Sequence, residues 1–379
     1  MEVYLDNSAT TKPLMSAAQK ALTMMKTEYG NPSSLHRKGF EASRELENAR
    51  QIIADSLSVG SECIYFSPSG TAANNTAIFG AAQALKRKGN RIVTTAIEHP
   101  SVQMCMNYLE TQGFEVVRLA PDKSGNIDVE KFRNAVNENT ILVSVMAVNN
   151  EVGSILPFEK LKKIIKAAKS PALLHIDAIQ AYMKLELKPE KYGIDLMSLS
   201  AHKVHALKGA SALYVAKGVR IKPYILGGGQ ENGLFSGTQA MPNIAAFGEA
   251  VKELGNVNSR YEKVSKLNAY LKERLSQLDF VSVNSPDNAL PYILNISVEG
   301  IPSQVSVNAL SQKGVYLSAG SACAKGHRSE VLTAMELSPK RIDSALRISL
   351  SFENTVEEID YFINALKETY TEIQGTGKR

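Results

Sequence analysis

Tryptophan is absent from this chain of 379 residues, and cysteine occurs only three times, at Cys63, Cys105 and Cys323. Three scattered cysteines cannot build a disulfide framework, and with no Cys-x-x-Cys pair a cysteine-rich zinc site is excluded. No metal is expected. No apolar run approaches the roughly 20 residues of a membrane-spanning helix. The opening Met-Glu-Val-Tyr-Leu-Asp lacks the basic-then-apolar pattern of a secretory signal. Excess charge is equally scarce: 43 Lys+Arg against 38 Asp+Glu leaves +5. The basic residues are spread along the chain, so a nucleic-acid groove has little support, while small anionic ligands remain compatible with the mild positive balance. The expectation is a soluble, cytoplasmic, reduced protein without membrane or nucleic-acid partners.

What is present is ordinary globular composition, 44% apolar and 21% charged, in a chain long enough for two to three domains. Short β-branched runs alternate with helix-like segments over the first two thirds. The runs Cys63–Phe66, Arg91–Thr95, Glu115–Leu119, Ile141–Ala147, Ala172–Asp177, Leu196–Leu199 and Ala212–Ala216 read as strands. Thr71–Arg87, Ser101–Gln112, Val129–Val136 and Phe158–Lys169 read as helices, with Asp128 as an N-cap. Such alternation predicts an α/β fold with a mostly parallel central sheet flanked by helices, whose ligands bind beyond the carboxyl ends of the strands. From Asn243 to about Leu278 the pattern is one long helix or a broken pair. Beyond it, strand-like Tyr292–Val298 and Leu346–Ser351 mix with helical Ser303–Gln312 and Val356–Ile373. That change predicts a large domain over 12–255 and a smaller α+β domain formed by 1–11 and 256–379.

Polar residues gather where the strands end. Ser198-Leu-Ser-Ala-His-Lys203 places a lysine beside Ser200 and His202, and His175-Ile-Asp177 places a carboxylate at the preceding strand exit, with Gln180 three residues on. A lysine can form an imine with an aldehyde, and a carboxylate can hold a heterocyclic nitrogen protonated; pyridoxal 5'-phosphate (PLP) demands both. Phe66-Ser-Pro-Ser-Gly-Thr71 is a strand, a small-residue turn and a helix start, where Gly70 lets the backbone approach an anion and free N–H groups receive it. His99 in Ile97-Glu-His-Pro-Ser101 can lie against an aromatic ring and shuttle protons, and Asn150 in Asn149-Asn-Glu-Val-Gly153 can donate to a phenolic oxygen. Each of these, taken alone, is also explained as a turn or loop residue.

Together with Tyr4-Leu-Asp-Asn-Ser-Ala-Thr-Thr11, Gly30-Asn-Pro-Ser-Ser-Leu-His36, Gly227-Gly-Gly-Gln-Glu231, Ser236-Gly-Thr238 and Ser321-Ala-Cys323, these motifs resemble the cysteine desulfurases, fold-type I PLP enzymes related to class V aminotransferases. The resemblance is collinear from residue 4 to about 352. It implies Lys203 as the Schiff-base lysine, Asp177 as the pyridinium partner, His99 stacked on the ring, and Asn150 and Gln180 near its phenolic oxygen. Thr71, Ser200 and His202 would hold the phosphate, joined by Thr238 from the second subunit of a homodimer. Arg347 would grip the substrate carboxylate through two parallel hydrogen bonds, with Asn31 and His36 lining the same cleft.

Cys323 would be the nucleophile, taking sulfur from L-cysteine as a persulfide, releasing L-alanine and passing the sulfur to an acceptor protein. Its setting, Ser318-Ala-Gly-Ser-Ala-Cys-Ala-Lys-Gly-His-Arg328, is rich in small residues and predicts a mobile loop, with Lys325, His327 and Arg328 favouring the thiolate. Cys63 and Cys105 read as inert core residues. Iron–sulfur cluster assembly is one of several destinations such sulfur serves. The chain departs from the family pattern at Ala72, Leu156, Met183, Ala206-Leu207, Phe235 and Ser351, positions that bear on cleft shape and substrate range. Two alternatives stay open: another PLP activity, such as an aminotransferase or a selenocysteine or cysteine sulfinate lyase, and a non-catalytic scaffold.

Overall fold

The structure, a computed structural model, describes residues 1–320 and 328–376. A short strand β1 (Val3–Tyr4) and two helices, α1 (Met15–Lys26) and α2 (Arg37–Leu57), lead into the alternating region. That region runs β2 (Ile64–Ser67), α3 (Gly70–Leu85), β3 (Arg91–Thr95), α4 (Pro100–Thr111), β4 (Glu115–Leu119), α5 (Val129–Ala135) and β5 (Thr140–Met146). It continues through α6 (Phe158–Ala167), β6 (Leu173–Asp177), α7 (Pro189–Tyr192), β7 (Leu196–Ser200) and β8 (Ser211–Val215).

The seven strands β2 to β8 form one sheet in the order β2-β8-β7-β6-β5-β3-β4. β8 runs antiparallel to both neighbours and every other pair is parallel, so the exits of β2, β3, β5, β6 and β7 share one edge. Every residue of β5, β7 and β8 is buried, the continuous apolar reading expected of strands covered by helices on both faces.

The helical stretch after Gln239 is a broken pair, α8 (Met241–Leu254) and α9 (Val257–Leu275). Gly255 adopts φ 52°, ψ −132°, and the Asn256 side chain accepts from the Asn258 amide to start the second helix. The remaining elements are β9 (Val281–Val283), β10 (Ile293–Val298), α10 (Ser303–Gln312), β11 (Val315–Tyr316), β12 (Ser318–Ala319), α11 (Glu330–Ala334), α12 (Pro339–Asp343), β13 (Ala345–Ser349) and α13 (Val356–Thr376). An antiparallel sheet β12-β13-β10-β9 forms here, and β11 pairs in parallel with β1 at the other end of the chain. Asp6 bridges to Ser349 of β13, which brings the first residues to the place where the small sheet meets the large one.

Five helices lie where the sequence reading assigned none: the long α1 and α2 and the short α7, α11 and α12. α1 has Leu14 at its N-cap with no capping side chain, and α2 is capped by His36, whose Nδ1 accepts from the Gly39 amide at 3.2 Å. Neither α1 nor α2 carries the usual Ser, Thr, Asp or Asn signal at its start, whereas α11 and α12 are capped by Ser329 and Ser338. Helix α4 begins one residue earlier than read, capped by His99 instead of starting at Ser101.

Candidate active site

Residues just beyond the strand ends build the site. Asp177 is the last residue of β6 and only 5% exposed. Its Oδ2 accepts from Asn74 Nδ2 of α3 at 2.8 Å, and its Oδ1 accepts from the Ile179 amide at 3.0 Å. The second hydrogen of the Asn74 amide goes to Ser101 Oγ at 2.9 Å, and that hydroxyl lies 2.9 Å from His99 Nδ1. A continuous chain Asp177–Asn74–Ser101–His99 therefore joins the exits of β6 and β3 through α3 and α4. Burial pushes the Asp177 carboxyl upward, opposed by His99, the Ile179 amide, Asn74 and Lys203. Burial lowers His99, opposed by Asp177 and aided by Lys203, which favours the neutral imidazole.

Lys203 follows β7 in a tight turn. Its Nζ donates to the carbonyls of Ser8 and of Ala9, the latter at 2.7 Å, and Gln180 Nε2 donates to the same Ser8 carbonyl at 3.0 Å. His202 Nδ1 lies 3.2 Å from Thr10 Oγ1, and burial with the neighbouring Lys203 and Lys208 lowers its pKa to about 4. Segment 8–10 thus forms one wall of the site, a role the sequence reading did not assign. Ser200 is buried at the end of β7.

Gly70 opens α3. A Cβ there would lie 2.3 Å from Ile179 Cδ1, so any larger residue would displace that side chain from the start of the helix. Thr71 faces solvent beside it, at the mouth of a groove of about 940 Å³ whose lining includes His99, Ser101, Met104, Tyr108 and Tyr224. The free amides of the helix start and the exposed Thr71 hydroxyl suit an anion.

Arg347 lies on β13 of the small sheet and is 2% exposed. Its Nη2 donates to Asp6 Oδ1 at 3.0 Å and to Ser318 Oγ at 3.3 Å, and its Nη1 donates to the Asn150 carbonyl at 3.1 Å. Asn150 thereby meets Arg347 through its backbone. Buried Arg347 Nε has no acceptor among the described residues.

Not every sequence candidate joins this cluster. Asn31 and His36 are exposed and engaged locally, Asn31 Oδ1 with the Ser33 amide at 2.9 Å and His36 as the cap of α2. Thr238 is exposed in the segment after Glu231, with no hydrogen bond to the cluster among the described residues. Cys323, Lys325 and His327 lie outside the described residues. Arg328 makes a two-pronged pair with Asp343, at 2.7 and 2.8 Å, so its charge is already matched. Cys63 and Cys105 are buried, and burial pushes the Cys105 thiol up to about 12, as expected of inert core thiols. Among the described residues no group of three or more His, Cys, Asp or Glu is placed to hold a metal ion, and no helix is long and apolar enough to cross a membrane.

The departures from the family pattern are mostly packed. Leu156, Ala206 and Phe235 are buried in the core, and buried Ser351 closes a turn with Asn354 and Glu353. The Ala72 amide receives the Ser69 cap. Met183 occupies a left-handed backbone conformation, φ 57°.

Residues to which the sequence reading gave no role of their own are the connectors: Asn74, Ser101, the carbonyls of Ser8 and Ala9, Asp6, and Glu98. Glu98 is buried, accepts from Thr95 Oγ1 at 2.6 Å and the Met146 amide at 3.1 Å, and is pushed up to about 8 by burial. Asn74 had one available signal, its place four residues after Gly70 on the same helical face.

A polar edge of this kind on a mostly parallel sheet defines a class, the fold-type I α/β enzymes. A model of the aminotransferase class-V family matches residues 3–362. A "NifS/IcsS protein homolog" of Lactobacillus delbrueckii subsp. bulgaricus is 38% identical over 97% of this chain and 97% of its own. A cysteine desulfurase IscS of Dictyoglomus turgidum is 36% identical, covering 97% of this chain and 94% of that one. A solved NifS-like protein superposes with a TM-score of 0.92 at 36% identity, covering 97% of this chain and 99% of that chain. The structure described as "SspA in complex with cysteine" gives 0.82 at 32% identity, covering 93% and 100%. The chain belongs to the class-V aminotransferase family and, within it, to the cysteine desulfurases.

Proposed function

We propose that this chain converts L-cysteine to L-alanine with PLP held on Lys203, and hands the sulfur, carried as a persulfide on Cys323, to an acceptor protein. The observation that carries the reading is the convergence of a buried carboxylate, a neutral imidazole and a lysine amine at one edge of the sheet. The residues fit the cofactor. A buried acid such as Asp177, already pushed upward by burial, gains from a protonated ring nitrogen beside it. Buried Ser8 Oγ has no partner among the described residues and offers a further polar contact. The start of α3, with Gly70 and Thr71, together with Ser200 and His202, suits the phosphate, and Thr238 of the partner subunit would complete that cradle. Exposed Met104, Tyr108, Tyr224 and Leu226 by the groove favour a homodimer.

PLP supplies an electron sink for the electron pair left when the substrate loses its Cα proton. Lys203 Nζ, or the imidazole of His99, would take that proton, and Gln180 and Asn150 would orient the cofactor's phenolic oxygen. Arg347 holds the substrate carboxylate, its unpaired Nε supplying a donor. The Cys323 thiolate attacks the substrate sulfur: an S–S bond forms, the C–S bond breaks with its electron pair going to carbon, and carbon takes up a proton. We read residues 12–255 as the cofactor domain and 1–11 with 256–379 as the domain bringing Arg347 and Cys323 to it. A free thiol that must be discharged suits a reducing, cytoplasmic setting, with iron–sulfur assembly one outlet for the sulfur.

Purified protein given L-cysteine and a reductant should release sulfide and alanine in equal amounts, and L-alanine with a 2-oxo acid should not react. Cys323→Ser should keep the visible absorbance of the bound cofactor and lose sulfide release. Normal sulfide release by that variant would sink the assignment.

A further inference from the structure

Lys184 is a buried lysine, 7% exposed, that the mechanism above does not use. It ends the turn that follows Asp177, its amide bonded to the Ala181 carbonyl at 3.0 Å. Its Nζ donates to Gln180 Oε1 at 3.3 Å and lies 5.7 Å from the centre of the Tyr292 ring. It shares the lining of a cavity of about 20 Å³ with Lys203, Asn7, Thr11, His205 and Tyr292. Burying an amine costs free energy unless its partner repays it, and here Lys203 and Arg347 add like charge; burial and those two cations lower Lys184 to about 7. A methionine would fill the same space without that cost, so the amine needs a reason that packing does not provide.

We propose that Lys184 is a positioning residue acting through Gln180. Its donation to Oε1 fixes the Gln180 amide with the nitrogen on the Ser8 carbonyl, the oxygen that also receives Lys203 Nζ. When Lys203 turns from that carbonyl to a cofactor aldehyde, the Gln180 donor remains on the Ser8 carbonyl, while the Ala9 carbonyl gives up its bond to Lys203. Without Lys184 nothing holds Oε1, the Gln180 amide can rotate off the Ser8 carbonyl, and that oxygen then relies on Lys203, which is held where it is. The inference rests on the reading of Lys203 as the imine-forming lysine.

The test begins with wild-type protein loaded with PLP, reduced with borohydride and peptide-mapped; a label absent from Lys203 overturns that underlying reading, independently of Lys184. PLP dissociation constants and the visible band are then measured for apoprotein of wild type, Lys184→Met, Gln180→Ala and the double variant. Lys184→Met is expected to weaken PLP binding about tenfold and shift the band, and the double variant to bind no more weakly than Gln180→Ala, because both substitutions remove one coupled contact. Lys184→Gln, which keeps a donor, is expected to recover most of the loss. Wild-type binding and band in Lys184→Met, or multiplying effects in the double variant, would overturn the proposal. Lys184→Leu replaces Lys184→Met if the latter does not fold, and failure of both to fold marks Lys184 as structural and overturns it too.

Discussion

Asp177 and Thr238 are both assigned to one cofactor, yet their settings differ in kind. Asp177 is buried, and each of its oxygens accepts a hydrogen bond, from the Asn74 amide and from the Ile179 amide. Thr238 is exposed, as are Asn31, His36 and Thr71. Charge chemistry in this molecule is preorganised at strand exits inside one chain, where low dielectric strengthens each contact. Thr71, Thr238, Asn31 and His36, read only as holding or enclosing a ligand, lie at the surface. The largest consequence is in activity. Asp177→Asn, which keeps shape but removes the charge, should lower kcat at least about a hundredfold, whereas Thr238→Val should cost about tenfold or less. Thr238→Val should instead show faster cofactor loss on dilution. Steady-state sulfide release and cofactor absorbance measure both, and equal losses of kcat would break the contrast.

The same division governs the ion pairs. Arg50 on α2 donates to Glu231 at 2.7 and 3.1 Å, and Glu231 also accepts from the Phe66 amide of β2 and from Gln239. This buried pair ties the strand before the phosphate turn to the segment carrying Thr238. Removing one partner strands a buried charge, so Arg50→Met should destabilise by about 3–5 kcal/mol. The pair Arg37–Glu41 has the arginine side chain 92% exposed, and Arg37→Met should leave the melting temperature unchanged. Thermal melts of the two variants decide the point.

How much of this was legible beforehand depends on the kind of signal each feature leaves. Strands β3 and β4 and helix α10 fall where their patterns predict, because β-branched runs and helical spacing are local. Helices α1 and α2 were invisible for a local reason too: their caps, Leu14 and His36, are not capping residues by type. His36, read as a cleft residue, spends its Nδ1 on that cap. Lysine, carboxylate and imidazole were legible as chemistry. Their connectors Asn74 and Ser101 were not, because an amide in a helix and a serine after a proline gain meaning only when α3 and α4 bring them to Asp177 and His99. Glu98 is of the same kind, a carboxyl whose neutrality comes entirely from its surroundings.

Glu98 offers a pH test of the buried side of the contrast. Its carboxyl is pushed up from its ordinary value to about 8 by burial, so between about pH 4.5 and 8 the folded state holds a proton that the unfolded chain has lost. The stability conferred by that proton is complete below the unfolded value and is lost as pH rises through the folded one. Glu98→Gln, which cannot ionise, should flatten this slope and gain stability relative to wild type on going from pH 5 to pH 8, by a few degrees in Tm. Identical pH profiles would mean that Glu98 is ionised in the fold. Half-buried Glu41, substituted in the same way, should leave the profile in that window unaltered.

The smallest effects come from two residues with the same backbone strain and opposite surroundings. Ser58, at the end of α2, and Met183, before Lys184, both have φ 57°. Glycine removes the left-handed penalty of about 1 kcal/mol at either position. Met183 is buried at 6% exposure and lines the cavity beside Lys203, so Met183→Gly also deletes a packed side chain, a loss of about 2 kcal/mol or more. Packing outweighs strain there, and the net change should be destabilising even though glycine is the family's usual residue. Ser58 is exposed and has no such packing to lose. Ser58→Gly should stabilise by about 0.5 kcal/mol, the strain relief reduced by the extra freedom glycine gives the unfolded chain. Denaturant melts of the two variants should therefore move in opposite directions; a shift of the same sign in both would show that backbone strain, not burial, sets the outcome at Met183.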